Sequence, residues 1–230
     1  MQPYTYLGLV NTINNRLNEV ELTEANFNSA IGWYSQAKEA VNSALQHISH
    51  QEHEWPFYYN QEDLVLTPGQ VRYDYPVNCQ NLRMDSFRLI DGVGINQHSI
   101  HLKNTDFEEV LQSNRNIDMD PSAIPQGRPH SVFRYPDMTF GVYPAPNSDY
   151  TLRYEWYSLP PTLEEPTDVP VIPQQWRHVI TNGAMMYAYL FRGDTEASDK
   201  MERIFDTNIK LMRKVYENRY VNVRSTMRSR

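Results

Sequence analysis

The chain has 230 residues, 40% hydrophobic and 21% charged, with a net charge of −7 at neutral pH and a single cysteine, Cys79. Such a length supports one domain or two small ones around a sizeable core. A mean hydropathy of −0.66 leaves no room for a membrane span, one cysteine excludes an internal disulfide framework or thiolate metal cluster, and the negative charge argues against tight nucleic-acid binding, which depends on neutralising phosphates with Lys and Arg.

Tyr6, Leu9, Val10, Ile13, Leu17 and Val20 recur at three- and four-residue spacing, which predicts a short amphipathic helix. Thr23 is an N-cap for a longer one, whose stripe of Phe27, Ala30, Ile31, Tyr34, Ala37, Val41, Ala44, Leu45 and Ile48 runs up to Trp55-Pro56. Spanning Glu24 to Glu54, it would be a spine roughly 46 Å long, ended by Pro56. From Leu64 the period changes to alternation. Leu64-Val-Leu66, the turn Thr67-Pro-Gly-Gln70, and Val71, Tyr73 and Tyr75 predict a hairpin. Strands at Phe87–Ile90 and Ser99–Leu102 follow, then a short helix capped at Thr105. Asn114 to Pro129 is expected to be a loop that orders against a neighbour. A second hairpin, Ser131–Tyr135 with Met138–Tyr143, precedes Tyr150–Tyr157, the strand expected to close the sheet. Five prolines between Leu159 and Pro173 stiffen a return linker. Two last helices are predicted, from Trp176 to about Arg192 and, after the break at Gly193-Asp194, along Met201, Ile204, Phe205, Ile209, Met212, Val215 and Tyr216.

The terminal helical blocks must pack on each other, because neither alone buries its apolar face. The expected fold is therefore α+β: an antiparallel helical bundle from residues 1–56 and 173–220, and an inserted antiparallel β-sheet domain, sandwich- or barrel-like, over 57–172 with a short helix near 105–113. Residues 221–230 are expected to follow as an extended arm. From Arg213 onward six basic residues face one acid, Glu217, a net charge of +5 that leaves −12 for the rest of the chain. This cationic end reads either as a solvated helix terminus or as a docking arm. The N-terminus carries no basic start followed by an apolar run, so no secretory signal is expected.

Catalytic chemistry finds little footing. His47, His50 and His53 are spaced by three near the end of the long helix, and no further ligands follow in a recognisable order. Asp118-Met-Asp120 lacks the ligand density of a calcium loop. Gly92-Val-Gly94 begins like a dinucleotide fingerprint, yet Gln97 stands where the third glycine belongs. No nucleophile elbow, phosphate loop or His-Glu-x-x-His is present. No metal and no cofactor is expected. The strand tyrosines at 73, 75, 135, 143, 150, 154 and 157 fit either a sheet core or anchors for a partner.

Several motifs in fixed order resemble one known family. They are Trp55-Pro56-Phe57 after the helix, Gly69-Gln70-x-x-Tyr73-x-x-Pro76, Gly127-x-Pro129 before Phe133-Arg-Tyr135, Val142-Tyr-Pro-Ala-Pro146, Tyr154-x-x-Tyr157-x-x-Pro160, and Ile172-Pro173-x-x-Trp176 before Asn182-Gly-Ala184. Over nearly its whole length the chain resembles the head-to-tail adaptors of short-tailed bacteriophages, also called tail tubular protein A or portal adaptors. The resemblance implies a structural, non-enzymatic virion protein of the neck, made in the host bacterial cytoplasm. It implies a homo-oligomeric ring, typically of twelve copies, between the portal protein and the next tail component, through which genomic DNA passes without specific binding. No membrane is involved. By the same resemblance, Val221, Val223, Arg224, Met227, Arg228 and Arg230 belong to an arm that docks on the portal. Asn114, Asp118, Asp120, Tyr135 and Tyr143 are candidates for a subunit or tail interface. Two other classes compete: a glycan- or receptor-binding tail component using exposed aromatics, and a cell-wall hydrolase using acids such as Glu155 and Glu164.

Overall fold

The computed structural model describes residues 2–91, 98–114 and 124–216. The fold is α+β, and the chain divides into two compact units: one takes the described residues of Met1–Tyr58 and Leu159–Arg230, the other those of Tyr59–Ser158. No helix among the described residues is long and apolar enough to cross a membrane.

In the first unit, α1 spans Tyr6–Arg16 and is capped by Thr5, whose hydroxyl accepts the Gly8 N–H at 3.2 Å. It stops short of Val20, which is 74% exposed, because Asn18 takes a positive φ of 57° and turns the chain. The expected spine from Glu24 to Glu54 is two helices, α2 (Glu24–Phe27) and α3 (Trp33–Gln51). Gly32, with φ 66° and ψ −128°, breaks it, and Ile31 of the expected apolar stripe is 82% exposed. At 19 residues α3 is about 28 Å long. It also ends before Pro56. Trp55 is buried and its indole N–H donates to the Ile48 carbonyl at 2.8 Å, satisfying an acceptor left open at the helix end; Pro56–Tyr58 is a separate 3₁₀ turn.

Residues 159–172 belong to this helical unit. Asn42 on α3 holds Leu163 through two bonds, its amide donating to the carbonyl at 3.0 Å and its oxygen accepting the N–H at 3.0 Å. The Tyr6 N–H donates to the Asp168 carbonyl at 2.7 Å, and Leu163 and Ile172 are buried. A helix over Arg177–Phe191 follows; it and the final helix, Thr195–Tyr216, are called α5 and α6, α4 being the short helix of the β unit at Phe107–Ser113. At Gly183 a Cβ would lie 2.6 Å from Phe205 Cε2 and 3.1 Å from Ala44 Cβ, so only glycine lets α5 approach α3 and α6 this closely.

In the second unit the strands are β1 (Tyr59–Leu66), β2 (Arg72–Asp74), β3 (Cys79–Leu82), β4 (Arg88–Asp91), β5 (His98–His101), β6 (Lys103–Asn104), β7 (Gln126–Gly127), β8 (Ser131–Arg134), β9 (Thr139–Tyr143), β10 (Ala145–Pro146) and β11 (Tyr150–Ser158). One sheet runs β1-β11-β4-β5 with β3 also on β11, a second runs β2-β9-β8-β6, and β7 pairs with β10. One core cluster takes Leu66, Leu89, Leu152 and Tyr154 from the first sheet and Tyr73, Val132, Phe140 and Val142 from the second, so the sheets face each other and are not closed into a barrel. A second cluster packs Phe133 of β8, and Tyr135 just after it, with Val110 of α4. The hairpin expected across Thr67–Gln70 is absent. The turn exists, with Gly69 at φ 78°, yet β1 pairs along its whole length with β11, from Tyr59↔Tyr157 to Leu66↔Tyr150, while β2 pairs with β9. Nor does β11 close its sheet; at nine residues it is the internal strand on which β1, β3 and β4 assemble.

Candidate assembly surfaces

The described chain ends at Tyr216, the last residue of α6, so the predicted docking residues Val221, Val223, Arg224, Met227, Arg228 and Arg230 lie outside the described residues. The root from which they issue is firmly held. The Tyr216 hydroxyl accepts the Trp176 indole N–H at 3.0 Å, and its ring meets Trp55 and Phe57 edge-on at 6.3 and 5.9 Å. Trp55 and Phe57 stack at 5.4 Å. One turn earlier, Arg213 donates to the Gln51 carbonyl at 2.7 Å and lies 3.1 Å from the Glu52 carboxylate. Two motifs far apart in sequence, Trp55-Pro56-Phe57 and Ile172-Pro173-x-x-Trp176, thus converge on Tyr216. Aromatic edge-to-face contacts and a part-buried hydrogen bond hold Tyr216 at the end of the described α6.

A second surface runs along the outward row of α3. Depressions of about 460, 360 and 360 Å³ share Ser43. On one side stand Tyr187, Leu190 and Phe191 of α5, on the other Thr162 and Glu164. Leu190 and Phe191 are 55% and 57% exposed, a large apolar pair at the surface of one chain. His47 lies in this groove in a structural role: its Nδ1 is 3.0 Å from the Tyr187 hydroxyl, and its ring is edge-on to Phe205 at 5.1 Å. Burial of Tyr187 pushes its phenol above the ordinary tyrosine range, which keeps it neutral and able to donate to His47. His50 is exposed on α3 and His53 lies beyond the helix end. Among the described residues, no three His, Cys, Asp or Glu side chains are grouped to hold a metal.

A third surface was concealed in the sequence by a neighbouring pattern. Phe205, Ile209 and Met212 are the buried face of α6. Ile204, Leu211 and Val215 form a parallel line about 100° around the helix, exposed at 47%, 50% and 64%. The stripe expected from the sequence took in Ile204 and Val215 together with the core residues and left out Leu211, which hides the 7- and 4-residue spacing of this line.

The other predicted interface residues separate. Tyr135 is 3% exposed, enclosed by Phe107 and Phe133 with ring centroids at 4.9 and 5.0 Å, and the Arg72 guanidinium sits 4.3 Å over its ring. It is a core residue of the β unit. Tyr143 is half-buried, edge-on to His130 at 5.9 Å. Asn114 caps α4, donating its N–H to the Val110 carbonyl at 2.9 Å, while its buried side-chain amide nitrogen has no hydrogen-bond partner among the described residues. Asp118 and Asp120 lie outside the described residues. Of the two acids considered for hydrolysis, Glu155 is engaged by Arg83 at 2.7 Å in the β unit and Glu164 belongs to the helical unit.

Both ends of the chain thus make one helical unit and the intervening residues a β unit. The family of SU10 adaptor proteins matches residues 4–230. The chain belongs to that family, a family of phage head-to-tail adaptors, and its role is that of a structural adaptor of the virion. No curated protein matches the chain.

Proposed function

We propose that copies of this chain form a ring in the neck of a short-tailed phage, between the portal and the next tail protein, with DNA passing through the centre during ejection. The family resemblance implies twelve copies. The role is structural and not enzymatic, and the C-terminal arm seats each copy on the portal. The family match over residues 4–230 carries this reading, and the fixed root of the arm at Tyr216 supports it. A body of net charge −12 ahead of a +5 end suits a passage that DNA must cross without adhering, since like charge offers a phosphate polymer no trap. The arm has the composition of a segment that orders on binding, with Val221, Val223 and Met227 among arginines. Deleting Val221–Arg230 should abolish co-sedimentation with purified portal rings while leaving the melting curve in place; normal attachment of the truncated chain would overturn the role of the arm.

A further inference from the structure

We infer that neighbouring copies meet by seating the exposed stripe of α6 from one copy in the α3/α5 groove of the next; this rests on the ring reading above. A ring built from one kind of subunit needs a heterologous contact, in which two different patches of the same chain complement each other. The helical unit carries two such patches on separate helices. Ile204, Leu211 and Val215 give α6 an apolar line that its own chain leaves exposed, and Leu190 and Phe191 give the groove an apolar wall that is likewise exposed. Their dimensions agree. The stripe from Ile204 to Val215 is about 17 Å long and the groove from Gln36 to His50 about 21 Å, at 1.5 Å per helical residue.

Charge also agrees. Exposed Arg203, Lys210 and Lys214 flank one side of the stripe, and exposed Glu39 and Glu164 line the groove, whose Lys38 is drawn off to the Phe27 carbonyl at 3.0 Å and over the Phe27 ring. An apolar line with a basic border entering an apolar groove with an acidic border pairs opposite charges and fixes the direction of insertion. Stripe against stripe, or groove against groove, would set like charges together. The occupant of each patch is therefore the other patch on a second copy.

The test uses full-length chains with Leu190→Asp, which spoils the groove, and Leu211→Asp, which spoils the stripe; both positions are at least half exposed, so circular dichroism melts should overlay the wild type. Wild type and variants are mixed with cognate portal rings, cross-linked with glutaraldehyde and resolved by denaturing electrophoresis. Wild type should give a ladder of adaptor multimers, and each variant alone only the monomer. An equimolar mixture should give a dimer band and nothing above it, because the sound stripe of Leu190→Asp fits the sound groove of Leu211→Asp once and the chain of contacts then stops. A wild-type ladder from either variant alone would overturn this contact and leave the ring reading standing. Absence of a ladder from wild type would overturn the ring reading itself.

Discussion

Gly183→Ala sets local propensity against packing. In an exposed helix, replacing glycine by alanine stabilises by about 1 kcal/mol through propensity alone. At residue 183 the added methyl would lie 2.6 and 2.8 Å from ring carbons of Phe205 and 3.1 Å from Ala44 Cβ. Relief by ring movement is restricted, since Phe205 is fully buried and edge-on to His47, which is bonded in turn to Tyr187. Overpacking a close-fitted core costs about 1–3 kcal/mol, so the net effect should be a loss of roughly 1 kcal/mol. For a chain of this size that lowers the melting temperature by roughly 2–4 °C, read by circular dichroism at 222 nm. Adding Phe205→Leu to Gly183→Ala should cost less than the sum of the two single changes, because the smaller side chain makes room for the methyl. A higher melting temperature for Gly183→Ala would refute the claim that this glycine is there for helix approach.

Further outcomes follow from the same contacts. Trp55→Phe removes the donor to the Ile48 carbonyl and should lower the stability measured in urea by about 1–3 kcal/mol, the cost of a buried acceptor left unpaired plus lost packing. Tyr216→Phe keeps the ring contacts and loses the bond from Trp176 at 3.0 Å and the long one from Gln175 at 3.4 Å, so its loss should be smaller, about 1 kcal/mol. At the β8–β9 turn, hydrogen bonds from Arg72 and Thr139 lower the Asp137 carboxyl from its ordinary 3.8 to about 2. A depressed folded pKa means that its stabilisation is complete above the ordinary value and fades as pH falls toward about 2. The stability gap between wild type and Asp137→Asn should accordingly be constant above pH ~4.5 and close below it; a gap that widens in acid would contradict the assignment.

The parts of the fold legible in the sequence are those in which one residue imposes the boundary. Gly193-Asp194 separates α5 from α6 as expected, and the Asp194 carboxylate accepts the Ala197 N–H at 3.0 Å. The break between α2 and α3 was hidden because Ala30 and Ile31 keep the 3.6-residue period through a segment that Gly32 turns. Strand partners were hidden for another reason. Alternation at Leu64–Tyr75 shows which side chains share a face and does not show which strand supplies the ladder, so the turn at Thr67–Gln70 looked like a hairpin although it carries the chain from one sheet to the other. A tyrosine in or beside a strand does not show core or surface by its position either: Tyr135 proved to be core, whereas Tyr59 of β1 is 42% exposed; on α5 and α6 the exposed apolar residues are Leu190, Phe191, Ile204, Leu211 and Val215. The motifs at Trp55 and Trp176 were legible as motifs; that both serve Tyr216 required the packing of three separate segments.

The most direct test of the adaptor assignment is the mass of the purified protein by light scattering, alone and mixed with its cognate portal ring, with negative-stain images of the same samples. Many copies bound to each portal as a continuous ring is the predicted result. A persistent monomer that leaves the portal's mass unchanged would contradict it.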